Sequence, residues 1–164
     1  MVFNTSVITV SDKGHRGERE DRSGQAIRDR LHGSPFHVVD HRIVPDERDE
    51  IRLALIDTID RMGLDLVLTT GGTGLSPRDV TPDATLEVIE KDAPGFAEAM
   101  RAESMQKTPH AMISRAVCGI RKSSLIINLP GSPKGAIECL EVILPALPHA
   151  LSKLKGDPSE CAGL

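Results

Sequence analysis

Five short runs of apolar and β-branched residues, each too brief for a helix, punctuate this chain, and segments of helical periodicity fill the gaps between them. The runs cover residues 6–10 (SVITV), 36–44, 66–70 (LVLTT), 117–121 and 125–129 (LIINL). Strands separated by helices pair in parallel, because a helix is the crossover that brings the chain back to the same end of a sheet. The expected fold class is therefore α/β, a three-layer sandwich with a mostly parallel sheet. The last two runs lack a helix between them. They are expected to form a C-terminal antiparallel hairpin, joined by Lys122, Ser123 and Ser124.

The helices carry start and stop signals. Ser23 is expected to cap the first, which runs to about Leu31 with Gly33 behind it. Residues 46–62 place Ile51, Leu55, Ile59 and Met62 at helical spacing, and Gly63 ends the segment. Thr81, Pro82 and Asp83 read as N-cap, first helical position and a carboxylate at the positive helix end. Two or three short helices follow between 84 and 116. Ser132 and Pro133 open what reads as one long helix to about Lys155, and the polar tail from about 156 is expected to fray.

With 164 residues and no repeat or linker, the whole chain (1–164) reads as one domain. The formal charge of −4 is no electrostatic footprint for nucleic acid or an anionic membrane surface. Aromatic content of 2% leaves no base-stacking platform. Cys118, Cys139 and Cys161 are an odd number without a C-x-x-C pair, and no secretory signal or membrane span is legible. A cytoplasmic location is the expectation.

In an open parallel sheet, ligands bind beyond the carboxyl ends of the strands. Ser11 and Asp12 follow the first run, Pro45 and Asp46 the second. Gly71, Gly72, Thr73 and Gly74 follow the third, with Arg78 and Asp79 close behind; Pro130, Gly131 and Ser132 follow the last. Two of these loops are glycine-rich and feed helix N-termini, where free amides and the helix dipole bind phosphate or carboxylate. Carboxylates beside a phosphate cradle repel its ligand unless a cation lies between, and magnesium commonly bridges the two. The rim thus reads as a site for a magnesium-bound nucleotide or phosphorylated ligand. Each loop alone is equally a tight turn or a helix start, and each aspartate alone a solvated cap; their common placement favours a site. The glycine loop is neither a Walker loop nor a dinucleotide fingerprint. His37, His41 and His149 read as surface or structural, and Cys118 and Cys139 as small core residues.

These motifs resemble the MogA/MoaB family of molybdenum-cofactor proteins. The likeness lies in residues 69–74 and 78–85, Ser11-Asp12, Asp21-x-Ser23-Gly24, Pro45-Asp46-Glu47, Pro94-Gly95-Phe96, Ser114-Arg115-Ala116 and residues 128–133, so it spans about 5–154. Within the family the chain looks most like molybdopterin adenylyltransferases. That resemblance implies transfer of AMP from ATP to the terminal phosphate of molybdopterin, dependence on Mg2+, a homotrimer, and possible transfer of product to a molybdate-inserting partner. It also implies catalytic and metal-linked roles for Asp46 and Asp79. Gly71, Gly72, Thr73, Gly74, Pro130, Gly131 and Ser132 would line the nucleotide and pterin-phosphate sites, joined by Ser11 and Asp12, and Ser104 and Ser114 would lie near molybdopterin. The alternative is a non-catalytic, MoaB-like pterin-binding or scaffold protein; a molybdate-inserting domain is a third, disfavoured by the Gly-Gly-Thr-Gly loop.

Overall fold

The computed structural model describes residues 1–158. A six-stranded sheet runs β1 (Phe3–Val10), β2 (Phe36–Val44), β3 (Leu66–Thr70), β4 (Lys91–Asp92), β5 (Cys118–Arg121) and β6 (Ser124–Leu129), in the spatial order β2-β1-β3-β6-β5-β4. β2, β1, β3 and β6 are parallel, while β5 is antiparallel to β6 and β4 to β5. The mostly parallel sheet and the hairpin are as expected. Lys122, at φ 53°, and Ser123 make the turn, so Ser124 already belongs to the strand.

The two central strands are buried on both faces, which explains why they read as unbroken apolar runs rather than as alternation. Leu66 and Leu68 point into one core with Leu125, Ile127 and Leu129; Val67 and Ile126 point into the other. Helices α2 (Arg22–Leu31), α5 (Pro94–Met105), α6 (Pro133–Ile143) and α7 (Leu147–Leu154) cover the first face. Helices α3 (Arg48–Ile56) and α4 (Thr81–Val88) cover the second, so three layers result. A short helix α1 (Asp12–His15) follows β1; a π-helical turn, Asp57–Arg61, continues α3, and a 3-10 turn, Pro109–Ile113, follows α5.

Three local expectations are corrected. The cap of α2 is Asp21, whose carboxylate accepts from the Gly24 amide at 2.9 Å, and Ser23 lies inside the first turn. Thr81 is the first residue of α4 rather than its cap: its hydroxyl donates to the Gly71 carbonyl at 2.9 Å and so braces the glycine loop. The expected long last helix is two helices bent by 65°. Pro145 lacks the amide that would continue α6, whereas Pro148 sits in the first turn of α7, where no amide is needed. Among the described residues no single helix is long and apolar enough to cross a membrane. Of the tail, Gly156 turns at φ 88° and the Asp157 amide donates to the Ser152 carbonyl at 3.1 Å. Residues 159–164, with Cys161, lie outside the described residues.

One buried amide ties the layers together beneath the glycine loop. Asn128, fully buried in β6, accepts from the Val117 amide at 3.1 Å and donates to Thr69 Oγ1 and Thr85 Oγ1 at 3.0 Å each. Asn128→Ala unpairs the part-buried Val117 amide and takes the Asn128 donor from the buried Thr69 and Thr85 hydroxyls, of which Thr85 keeps its bond to the Thr81 carbonyl. It is expected to cost roughly 2–3 kcal/mol, read as a lower urea midpoint with an unchanged m-value.

Candidate active site

Three strand ends converge so closely at the carboxyl rim that only glycine backbone fits between them. Gly71 adopts φ 103°, and a Cβ there would lie 2.4 Å from the Val10 carbonyl at the end of β1. A Cβ on Gly131 would lie 3.2 Å from the Gly71 Cα. Gly72, at φ 66°, would press a Cβ to 2.4 Å from Thr81 Oγ1. Hydrogen bonds fix the junction: the Gly71 amide donates to the Leu129 carbonyl at 3.2 Å and Thr70 Oγ1 to the Pro130 carbonyl at 2.7 Å.

Two cavities open on either side of this junction. The larger, of about 740 Å³, is lined by Ser11, Asp21, Asp46, Gly71, Gly72, Gly131 and Ser132, with Arg19 and Arg22 on its rim. The smaller, of about 310 Å³, is lined by Thr73, Gly74, Ser104, Ser114, Pro130 and Ser132. Ala97, Met100, Ile113 and Ala116 supply its apolar wall and Lys107 a cation, held at 3.4 Å from Glu138. Ser132 borders both cavities, and its Oγ accepts from the Gly135 amide at 3.1 Å as the cap of α6. The positive end of α6 therefore begins at the partition between the cavities.

Around the larger cavity the acids are tightly organised. Asp12 and Asp46 exchange bonds: the Asp12 amide donates to Asp46 Oδ2 at 2.8 Å, and the Asp46 amide to Asp12 Oδ1 at 3.0 Å. Arg78 grips Asp12 with Nε at 3.0 Å and Nη2 at 2.9 Å, and reaches Glu47 at 2.8 Å. The Arg78 guanidinium holds the Asp12 carboxyl below its ordinary value. Asp46 is pushed the other way, by burial first and then by the charges of Asp12 and Asp79. Its Oδ1 accepts from no donor among the described residues and lies beside Gly72. Asp79 is near enough to repel Asp46 but lines neither cavity; its Oδ2 accepts from the Ser76 amide at 2.9 Å.

The structure thus divides the sequence candidates into two sets. Ser11, Asp46, Gly71, Gly72 and Gly131 belong to the larger cavity, while Thr73, Gly74, Ser104, Ser114 and Pro130 belong to the smaller. Asp12 and Asp79 support the rim from outside. Ser104 lines the smaller cavity beside Cys139, its Oγ 3.6 Å from Cys139 Sγ. Burial pushes the Cys118 thiol up to about 12 and raises Cys139 as well, which leaves neither as a nucleophile at neutral pH. His41 is less peripheral than expected: its Nε2 lies 2.8 Å from Asp21 Oδ2, which also accepts from Thr9 Oγ1 at 2.8 Å. Burial raises the Asp21 pKa, but these bonds and that from the Gly24 amide outweigh it and hold the carboxyl below its ordinary value. Residues 107–111 and the inner face of α5 were not legible as a cavity wall, since nothing in their local pattern differs from an ordinary helix end.

Among the described residues no three His, Cys, Asp or Glu side chains converge into a metal cage. Asp46 Oδ1, which accepts from no donor among the described residues, is a carboxylate oxygen on the larger cavity that could ligate a cation.

Residues 6–149 match the family model of a probable molybdopterin binding domain. The molybdopterin adenylyltransferase of Helicobacter pylori strain J99 is 46% identical over 162 residues, covering 96% of this chain and 90% of that protein. The Escherichia coli K12 enzyme of the same name is 44% identical over 138 residues, or 82% of this chain and 70% of that one. The crystal structure of the molybdopterin biosynthesis enzyme MoaB from Thermus thermophilus superposes with a TM-score of 0.90 at 54% identity, covering 97% of this chain and all of that one.

The state of Asp46 has a consequence for stability. Its raised pKa means that the folded chain binds this proton more tightly than the unfolded chain does. The charged form therefore costs stability above the carboxylate range, and that cost fades as pH falls through it. Asp46→Asn can still accept from the Asp12 amide without the charge, so its melting temperature at pH 7 is expected to exceed that of the wild type. The gain should shrink toward zero as the pH is lowered into the carboxylate range, which a series of thermal melts would read directly.

Proposed function

This chain belongs to the family of probable molybdopterin-binding domains, and on that premise we propose that it is a molybdopterin adenylyltransferase of molybdenum cofactor biosynthesis, moving AMP from ATP to the terminal phosphate of molybdopterin with release of pyrophosphate. The observation that carries the reading is the pair of cavities meeting at Ser132. The larger takes the nucleotide: it combines glycine amides, two arginines and the half-buried Asp46. The smaller takes the pterin, with apolar side chains against the ring system and the Ser104 and Ser114 hydroxyls at its polar edge. The pterin's terminal phosphate then points toward the partition, where the α-phosphate of ATP arrives from the other side.

The reaction joins two anions, so catalysis is a matter of holding and neutralising them. A phosphate oxygen attacks the α-phosphorus as the bond to the pyrophosphate oxygen breaks. An ionised phosphate needs no general base, so the partition can work without a histidine. Amides of Gly72 and Gly131, which the junction's own hydrogen bonds do not use, and the N-terminus of α6 stabilise the developing charge. Asp46, with Asp79 behind it, would hold the magnesium, which supplies charge neutralisation on the triphosphate; the unclaimed Oδ1 and the charge crowding at Asp46 fit that duty. The proposal extends to a cytoplasmic homotrimer acting as one domain per chain, with the product handed on to a molybdate-inserting partner.

Purified protein incubated with molybdopterin and Mg-ATP should yield an adenylylated pterin and pyrophosphate; absence of both would overturn the reading in favour of a pterin-binding scaffold. Asp46→Asn and Asp79→Asn should each fold, bind molybdopterin, and lose on the order of a hundredfold in AMP transfer, partly recovered at high magnesium. Ser114→Ala should weaken pterin binding by about 1–3 kcal/mol, the scale of a lost hydrogen bond to a charged group, and leave nucleotide binding nearly unchanged in titration calorimetry.

A further inference from the structure

Arg115 sits next to Ser114 yet lines neither cavity. Its guanidinium turns away from the pterin side and spans the base of the loop that follows the glycines. Nε donates to the Gly74 carbonyl at 3.0 Å and Nη2 to the Asp79 carbonyl, while Nη1 and Nη2 reach the two carboxylate oxygens of Asp83 at 3.3 and 3.0 Å. The Arg115 amide donates to the Thr73 carbonyl at 2.8 Å. Between these anchors, Leu75, Ser76, Pro77 and Arg78 are exposed, and the loop is held internally by the Ser76 and Asp79 amides, which bond to each other's residue. Arg78 pins the tip of the loop to Asp12 and Glu47; Arg115 pins both of its feet.

We infer that Arg115 is a positioning residue for AMP transfer: one planar fork fixes Gly74, Asp79 and the start of α4 relative to the segment that presents Ser114, and so sets the register between the two cavities. The inference rests on the adenylyltransferase reading. The geometry favours a guanidinium, because its coplanar donors here make four bonds, to two carbonyls and both oxygens of a carboxylate, whereas an ammonium has three donors that do not share a plane. Loss of the fork leaves Ser114 in place, since the Arg115 and Ala116 amides keep their bonds to the Thr73 carbonyl and to Ser114 Oγ. The loop carrying Asp79 would lose its tether, and a small misplacement near reacting phosphates costs rate more than binding.

The test compares wild type with Arg115→Lys and Arg115→Ala, first by amide hydrogen exchange without ligands and then by steady-state kinetics. Exchange at residues 75–79 is expected to quicken at least about tenfold in both variants, and kcat to fall at least about tenfold while KM for each substrate stays within about threefold. The side chain is 38% exposed, so the space left in Arg115→Ala is open to solutes. Added methylguanidinium should restore part of kcat, and methylammonium should not. Unchanged exchange, unchanged kcat, or a KM defect at full kcat would each overturn the inference, the last by making Arg115 a binding group. Should Arg115→Ala fail to fold, Arg115→Lys carries the comparison. A wild type that transfers no AMP brings down the adenylyltransferase reading instead, and the exchange data then still decide whether Arg115 holds the loop.

Discussion

The rest of the molecule depends on one steric fact: β1, β3 and β6 end so close together that Val10, Gly71 and Gly131 meet backbone to backbone. No side chain can stand at Gly71, both because its φ of 103° is foreign to L-residues and because the Val10 carbonyl occupies the place of a Cβ. That contact places Gly72 and Gly131, whose amides no hydrogen bond of the junction uses, on the wall of the larger cavity. It also divides the rim, since the chain leaving β3 passes between two hollows and the chain leaving β6 forms the other half of the partition. The two cavities follow from how the strands end.

Charge is arranged around that partition by arginines that do not face it. Arg78 neutralises Asp12 and Glu47, and Arg115 neutralises Asp83, which leaves Asp46 as the half-buried acid short of donors on the larger cavity. Burial and two neighbouring carboxylates disfavour its charge, and among the described residues no basic side chain is bonded to it. A site that keeps a carboxylate under such tension gives up stability in the free protein, and a cation bound at Asp46 would relieve it.

Much of this was legible in the sequence because the signals are local. Unbroken apolar runs such as LVLTT mark strands buried on both faces, and a glycine-rich segment directly after such a run marks a ligand rim. The resemblance in residues 69–85 and 128–133 then joined the loops into one site. What escaped was decided by distance in space. Ser23 and Asp21 are both good caps by composition, and only the approach of Thr9 and His41 to Asp21 selects it. Thr81 looks like a cap until the Gly71 carbonyl claims its hydroxyl. The break in the last helix was visible as Pro145, but the surrounding helical periodicity concealed it. The pterin-side wall contributed by α5 and residues 107–111 carries no motif, and only the fold brings it opposite α6.

The chemistry available to this scaffold is narrow, and the buried groups narrow it further. Both described cysteines are held protonated by burial, and two of the cavity serines are committed: Ser132 on the partition caps α6, and Ser114 in the smaller cavity accepts from the Ala116 amide. A serine that already accepts from a backbone amide, with no histidine or lysine bonded to it to take its proton, is a poor nucleophile. Neither serine is set up for covalent catalysis, and direct transfer from one bound anion to another fits the two cavities. Direct transfer places its whole demand on registration, since reacting atoms in separate cavities must be brought to within about 3–3.5 Å by the walls that hold them. In this fold the walls are loops at strand ends, which are mobile by default. Their rigidity has to come from elsewhere, and the structure supplies it with glycine contacts too tight to shift, a threonine hydroxyl on the Gly71 carbonyl, and two arginines that bind loop to loop without entering the cavities.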